Sequence, residues 1–175
     1  MRRSRALFAA AAAAAALAVP TAAQARVREI EPVTGFRRQL AGIKRHTSVP
    51  VLWPDRIAID VPRRHGVEAT WRAGRGGWEL AIGIGPRCGG ANACFVGELS
   101  AQRGGEPAFR RTVRLHGGVR GYYKPTSCGA SCSPPQLQWK VRRVLYSIQF
   151  RAAGRGGDRA KLVAMADSAL KAGPR

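Results

Sequence analysis

The chain has 175 residues, with 30 Lys and Arg against 10 Asp and Glu and a formal charge of +20. Ten carboxylates and three histidines leave little equipment for acid–base or metal chemistry, and 25 of the 30 basic residues are arginine. That excess of arginine beside abundant Ala and Gly matches the output of a GC-rich genome, yet the positive field it creates attracts anionic partners whatever its origin.

The first 25 residues read as a secretory signal peptide. Met1-Arg2-Arg3-Ser4-Arg5 supplies the charged start, Ala6 to Val19 the apolar middle, and Ala23-Gln24-Ala25 a small-x-small site with cleavage expected after Ala25. The apolar run falls short of the roughly 20 residues that span a bilayer. Ser4-Arg5-Ala6-Leu7 fits a twin-arginine signal poorly, which favours the general secretory route. No later stretch is long and apolar enough to be transmembrane, so the expected location is secreted or periplasmic. Loss of the three leading arginines would leave a formal charge of +17.

Residues 26–50 form a lead-in arm with little strand pattern. Phe36, Leu40 and Ile43, spaced i, i+4 and i+7 among Arg37, Arg38, Lys44 and Arg45, predict one short basic amphipathic helix docked on the domain. Val49-Pro50-Val51-Leu52-Trp53-Pro54 reads as extended chain, since each proline fixes its own φ and restricts its predecessor.

Over 51–173 the pattern predicts a single exported α+β domain. Period-two alternation marks strands at Ile57–Val61, Val67–Trp71 and Trp78–Ile84, with turns at 62–66 and 74–77. Further strands are predicted at Cys94–Ala101, Arg111–His116 and Val119–Lys124, then through Leu137, Trp139 and Val141, and through Val144, Tyr146, Ile148 and Phe150. Short connections favour antiparallel neighbours. Near the end the period changes: Leu162, Val163, Met165, Ala166, Ala169 and Leu170 form the stripe of a helix capped by Asp158 and stopped at Gly173-Pro174. The expected fold is an antiparallel meander of about seven or eight strands with this amphipathic helix packed on one face. Arg72, Arg110, Arg114, Lys140 and Arg142 fall on the outer face.

The four cysteines, Cys88, Cys94, Cys128 and Cys132, are expected as disulfides in an exported chain. Three connectivities are possible; Cys88–Cys94 with Cys128–Cys132 is favoured, because each pair closes one glycine-containing turn. A zinc site wants other spacings, and Pro134-Pro135 argues against the helix start that would activate a redox thiol at Cys132.

Ala91-Asn92-Ala93-Cys94, Gly121-Tyr122-Tyr123-Lys124-Pro125, Cys128-Gly129-Ala130-Ser131-Cys132-Ser133-Pro134-Pro135, Trp139 and Tyr146-Ser147-Ile148 resemble an uncharacterised family of small exported bacterial proteins. That resemblance implies export and no particular activity. Trp139, Tyr146 and Leu162-Val163-Ala164-Met165-Ala166 are also similar to a domain found on the extracytoplasmic side of some anti-sigma factors.

No catalytic motif occurs, and no catalytic residue, metal ligand set or cofactor is assigned. Binding is the expected role. Arg110, Arg111, Arg114, Arg120, Tyr122, Tyr123 and Lys124 combine cations with aromatic faces, the pairing that holds single-stranded nucleic acid or sugar-phosphate polymers. Export points to an anionic envelope polymer or lipid headgroups ahead of nucleic acid. The sequence leaves the oligomeric state open. The reading is a non-enzymatic envelope module that binds or senses an anionic partner; the alternative is an exported thiol-disulfide or copper-handling protein using Cys128 and Cys132.

Overall fold

The computed structural model describes residues 27–61, 66–85, 88 and 94–175. The expected signal segment, the expected turn residues 62–65 and the Ala91-Asn92-Ala93 motif lie outside the described residues. Strand β1 (Val27–Ile30) pairs antiparallel with β2 (Ile57–Asp60), so the lead-in arm is built into the fold through a small two-stranded sheet. Between them lie α1 (Pro32–Gly35) and α2 (Arg37–His46).

The expected basic helix is α2. Phe36, Leu40 and Ile43 are buried along one side while Arg37, Arg38, Lys44 and Arg45 stay exposed. Burial of each large apolar side chain contributes about 1.5–3 kcal/mol, which holds a helix too short to be stable alone. Close approach to the sheet depends on Gly42, where a Cβ would sit 2.5 Å from the Trp71 ring.

The main sheet has seven strands. They are β3 (Val67–Gly74), β4 (Gly77–Ile84), β5 (Phe95–Arg103), β6 (Arg111–Arg114), β7 (Arg120–Lys124), β10 (Gln136–Val141) and β11 (Val144–Phe150). A separate hairpin, β8 (Ser127–Cys128) with β9 (Cys132–Ser133), projects between β7 and β10. The order is β3-β4-β5-β11-β10-β7-β6, antiparallel throughout. The expected antiparallel α+β fold is therefore present, as two short meanders joined where β11 returns to pair with β5. Residues 104–110 carry the chain from the middle of the sheet to its far edge. They cross the polar face, where the Ala108 amide donates to Gln138 Oε1 (2.9 Å) and Glu106 pairs with Lys140.

Alternation separates the two faces. Trp78, Leu80, Ile82, Leu99, Leu137, Trp139, Tyr146, Ile148 and Phe150 are buried on one of them. The extended 49–54 segment lies over this face. The indole N–H of Trp78 (3.3 Å) and the hydroxyl of Tyr146 (3.1 Å) both donate to the Pro50 carbonyl, which ties the segment to β4 and β11. Trp53 meets Trp78 edge-on at 6.4 Å, and Trp139 stacks on Tyr146 at 5.7 Å. The phenol of Tyr146 is pushed up to about 12 by burial, so the hydroxyl stays a donor through neutral pH. Phe150 needs a glycine opposite it: a Cβ on its cross-strand partner Gly97 would lie 2.1 Å from the ring.

Helix α3 (Asp158–Ala172) closes the same face with Leu162, Met165, Ala166 and Ala169 buried. Gly173 ends it at φ 71, as the sequence predicts. Its start differs from expectation. Gly157 occupies the cap, and Asp158 is the first helical residue, where its carboxylate accepts from the Thr126 hydroxyl (3.3 Å) and favours the positive helix terminus.

Both expected disulfides are formed. Cys88–Cys94 has Cα atoms 5.6 Å apart and Cys128–Cys132 has them 4.0 Å apart. The first closes the β4–β5 connection and the second staples the β8–β9 hairpin. Both lie at one end of the sheet. The opposite end is closed by tight turns, Arg75-Gly76 between β3 and β4 and Arg142-Arg143 between β10 and β11.

Candidate functional site

The register decides which of the sequence-derived binding residues meet. Arg111 pairs with Tyr123, Thr112 with Tyr122, and Arg114 with Arg120. Paired residues share a face and successive ones alternate, so Arg114, Arg120, Tyr122 and Lys124 belong to the polar face. Arg111 and Tyr123 belong to the helix side. The two tyrosines therefore do not form one aromatic platform. Tyr123 is half-buried against the core margin, and burial, then the Asp158 carboxylate, raises its pKa. Arg110 is exposed just before β6. The basic candidates run along one sheet edge and divide between its two faces.

The tight-turn end brings together arginines that come from distant parts of the chain. Strands β3, β5, β10 and β6 end there, and β4, β11 and β7 begin there. Arg75, Arg103, Arg142 and Arg143 thereby join Arg120 and Arg114 in a rim. Arg142, expected on the outer face, sits instead in the turn. The ion pairs among the described residues are Arg56–Glu29, Arg72–Glu79, Lys140–Glu106 and Arg175–Asp55, and none engages the rim. Arg103 donates to Ser48 Oγ (3.2 Å). Sequence reasoning missed Arg75, Arg103 and Arg143 as a group because only the strand order makes them neighbours. The signal present was Val141-Arg142-Arg143-Val144, two strands with no residue to spare between them except the arginine pair.

A different chemistry occupies the centre of the polar face, which residues 104–110 cross. One cross-strand rung runs Arg72, Glu79, Ser100, Ser147, Gln138, Tyr122, Thr112 through all seven strands. A trough of about 600 Å³ lies over its first half. Arg72 holds Glu79 at 2.7 Å, and Gln136 Nε2 donates to Ser147 Oγ at 2.7 Å. Glu98, diagonal to Glu79, has its carboxyl pKa raised, first by burial and then by the Glu79 charge. The Gln136–Ser147 bond and the Ala108 amide on Gln138 satisfy polar groups here, as suits a polar sheet face. No group of three or more His, Cys, Asp or Glu residues placed to hold a metal ion occurs among the described residues.

In comparisons with known proteins, no family model, curated protein or solved structure matches the chain. No helix among the described residues is long and apolar enough to cross a membrane.

Proposed function

We propose that the protein is a non-enzymatic module of the cell envelope, exported by the 1–25 signal peptide, that holds an anionic polymer against its arginine rim. The observation that carries this reading is the convergence of Arg75, Arg114, Arg120, Arg142 and Arg143 at one sheet end without a carboxylate partner among the described residues. Unpaired guanidinium groups spend none of their field on internal pairs, and their planar donor fork matches carboxylate and phosphate. Along the edge, Arg110, Arg111 and Lys124 extend the positive track. Tyr122 supplies one aromatic face beside Arg120.

The test is retention of the intact mature protein on immobilised polygalacturonate and on polyphosphate at two salt concentrations. Retention at low salt that falls steeply as salt rises is expected. Arg114→Ser with Arg120→Ser should reduce the salt slope by about 2, one for each anion contact removed. Absence of low-salt retention on both polymers, or an unchanged slope in the double variant, overturns the reading. Stronger retention on single-stranded nucleic acid than on either polymer transfers it to another partner.

A second reading rests on one observation: Cys128 and Cys132 are both exposed on their hairpin, within reach of an exchanging thiol. An exported thiol-disulfide or copper-handling role predicts reversible reduction of this bond by a dithiol partner, and loss of that exchange in Cys128→Ser.

A further inference from the structure

The arginine rim has an apolar groove behind it, on the helix side of the sheet. The groove is about 600 Å³, within the roughly 300–1,000 Å³ typical of small-ligand sites. Its apolar wall is made by Pro50 and Leu52 of the lead-in segment, Val141 and Val144 of the β10–β11 hairpin, and Leu170 and Pro174 at the end of α3. Arg103, Arg142 and Arg143 line it as well, and no carboxylate does.

The walls are fixed. The Gly104 amide donates to the Arg143 carbonyl at 2.7 Å, which locks the β10–β11 hairpin tip to the end of β5. The Arg103 amide donates to the Gly76 carbonyl of the β3–β4 turn at 2.7 Å, which fixes the end of β5 itself. Arg103 is held over the groove by its bond to Ser48. On the far side, the Arg175 amide donates to Val51 and the Arg175 guanidinium pairs with Asp55, so Gly173 and Pro174 are tied down. The Tyr146 hydroxyl, which also lines the groove, is occupied by Pro50.

Backbone strain marks the same place. Arg142 has φ 54, while every other left-handed position among the described residues, seven in all, is a glycine. A two-residue hairpin turn accepts Gly at such a position because it has no Cβ, and Asn or Asp because a short polar side chain bonds locally, whereas an arginine sets its Cβ against the following carbonyl with no such offset. A chain with 21 glycines puts an arginine there, beside a second arginine. Strain of this kind concentrates where a side chain has a task.

We infer that this groove binds a single-chain amphiphile with an anionic head group: the acyl chain on the apolar wall, the head in the fork of Arg142, Arg143 and Arg103. The orientation follows from electrostatics. Arg103, Arg142 and Arg143 line the groove from the β5 and β10–β11 side and carry no carboxylate partner among the described residues, whereas on the α3 side Arg175 is already paired with Asp55 and the last helix carbonyls disfavour an anion. The site shares Arg142 and Arg143 with the rim, but it does not rest on the polymer reading, because its apolar wall is a feature that a hydrophilic polymer has no use for.

Equilibrium dialysis of the intact mature protein against monomeric dodecanoate, below its aggregation threshold, tests the inference. Saturable binding of one dodecanoate per chain is expected, tightening about fourfold per added methylene until the groove is filled. Neutral monododecanoylglycerol should bind at least tenfold more weakly, and acetate should not bind. Arg142→Gly with Arg143→Ser should weaken dodecanoate at least tenfold without lowering the melting temperature, since glycine relieves the strained turn; a loss of affinity in a variant that melts lower would be read from Arg143→Ser alone. Equal binding of the neutral analogue, absence of chain-length dependence, or capture by phosphatidylglycerol vesicles with no binding of the monomer overturns the inference. So does an equal loss in Arg114→Ser with Arg120→Ser, which would assign the binding to the outer rim. Dodecanoate binding without polymer retention removes the polymer reading and leaves this one standing.

Discussion

The two ends of the seven-stranded sheet are built by opposite means. At one end the connections are long, residues 85–94 between β4 and β5 and 125–135 between β7 and β10, and a disulfide closes each. At the other, β3–β4 and β10–β11 turn within two residues, no covalent help is present, and the arginines gather. Short turns fix register through backbone hydrogen bonds alone, whereas longer loops leave conformational freedom in the unfolded chain that a crosslink removes. The staples are thus kept apart from the arginine rim, while Arg110, Arg111 and Lys124 carry charge along the β6–β7 edge to the stapled end. The basic rim is positioned by strand pairing and the opposite end by sulfur.

Between the ends lies the stacked pair that both depend on, and removing it should give the largest effect. Trp139 is 1% exposed and its indole N–H has no partner among the described residues, so burial and stacking on Tyr146 carry its contribution. Trp139→Ala should cost about 3–5 kcal/mol and unfold both ends in one transition by urea melts. If the stapled end retained structure after the arginine end had melted, the sheet would not be one cooperative unit.

The next effect is alkaline. Tyr146 has its folded-state pKa pushed up to about 12 against an unfolded value near 10. The group's stabilisation is complete below the unfolded value and is lost as pH rises through the folded one. The loss should reach on the order of 2–3 kcal/mol from pH 10 to 12, measured against Tyr146→Phe, which lacks the titrating group. Parallel pH curves for the two proteins would refute burial as the cause of the shift.

Much of this layout was legible in the chain, and the reason is local. Val144-Tyr146-Ile148-Phe150 against Leu137-Trp139-Val141 is period-two patterning with a two-residue gap, enough to specify a hairpin and its buried face. The α3 stripe and Gly173 were equally plain. The two disulfides followed from cysteines that each close a glycine-containing turn. What was not legible is long-range: nothing local says that β11 returns to β5, and so nothing grouped Arg103 and Arg75 with Arg143. The expectation that Asp158 caps α3 failed because Gly157 already had the extended conformation a cap requires. The two adjacent tyrosines looked like one surface, but alternation along β7 sends them to opposite faces.

Opening the Cys128–Cys132 staple separates the two ends directly. A ring this small contributes about 2 kcal/mol, so Cys128→Ser with Cys132→Ser should lower stability by that amount in denaturant melts. Retention on polygalacturonate at a temperature where the variant is folded should be unchanged, because the crosslink lies at the far end from the rim. A drop in retention would mean that the hairpin touches the polymer.

The smallest effect has the opposite sign. Arg142 holds a left-handed backbone that glycine adopts without strain, so Arg142→Gly should raise stability by about 1 kcal/mol, offset in part by the extra freedom of glycine in the unfolded chain. The measurement is the urea midpoint beside wild type. A gain accompanied by weaker dodecanoate binding identifies a position where stability has been given up for a charged side chain at the groove. A loss of stability would show that the arginine stabilises its own turn, and the rim would then owe its composition to folding rather than to what it binds.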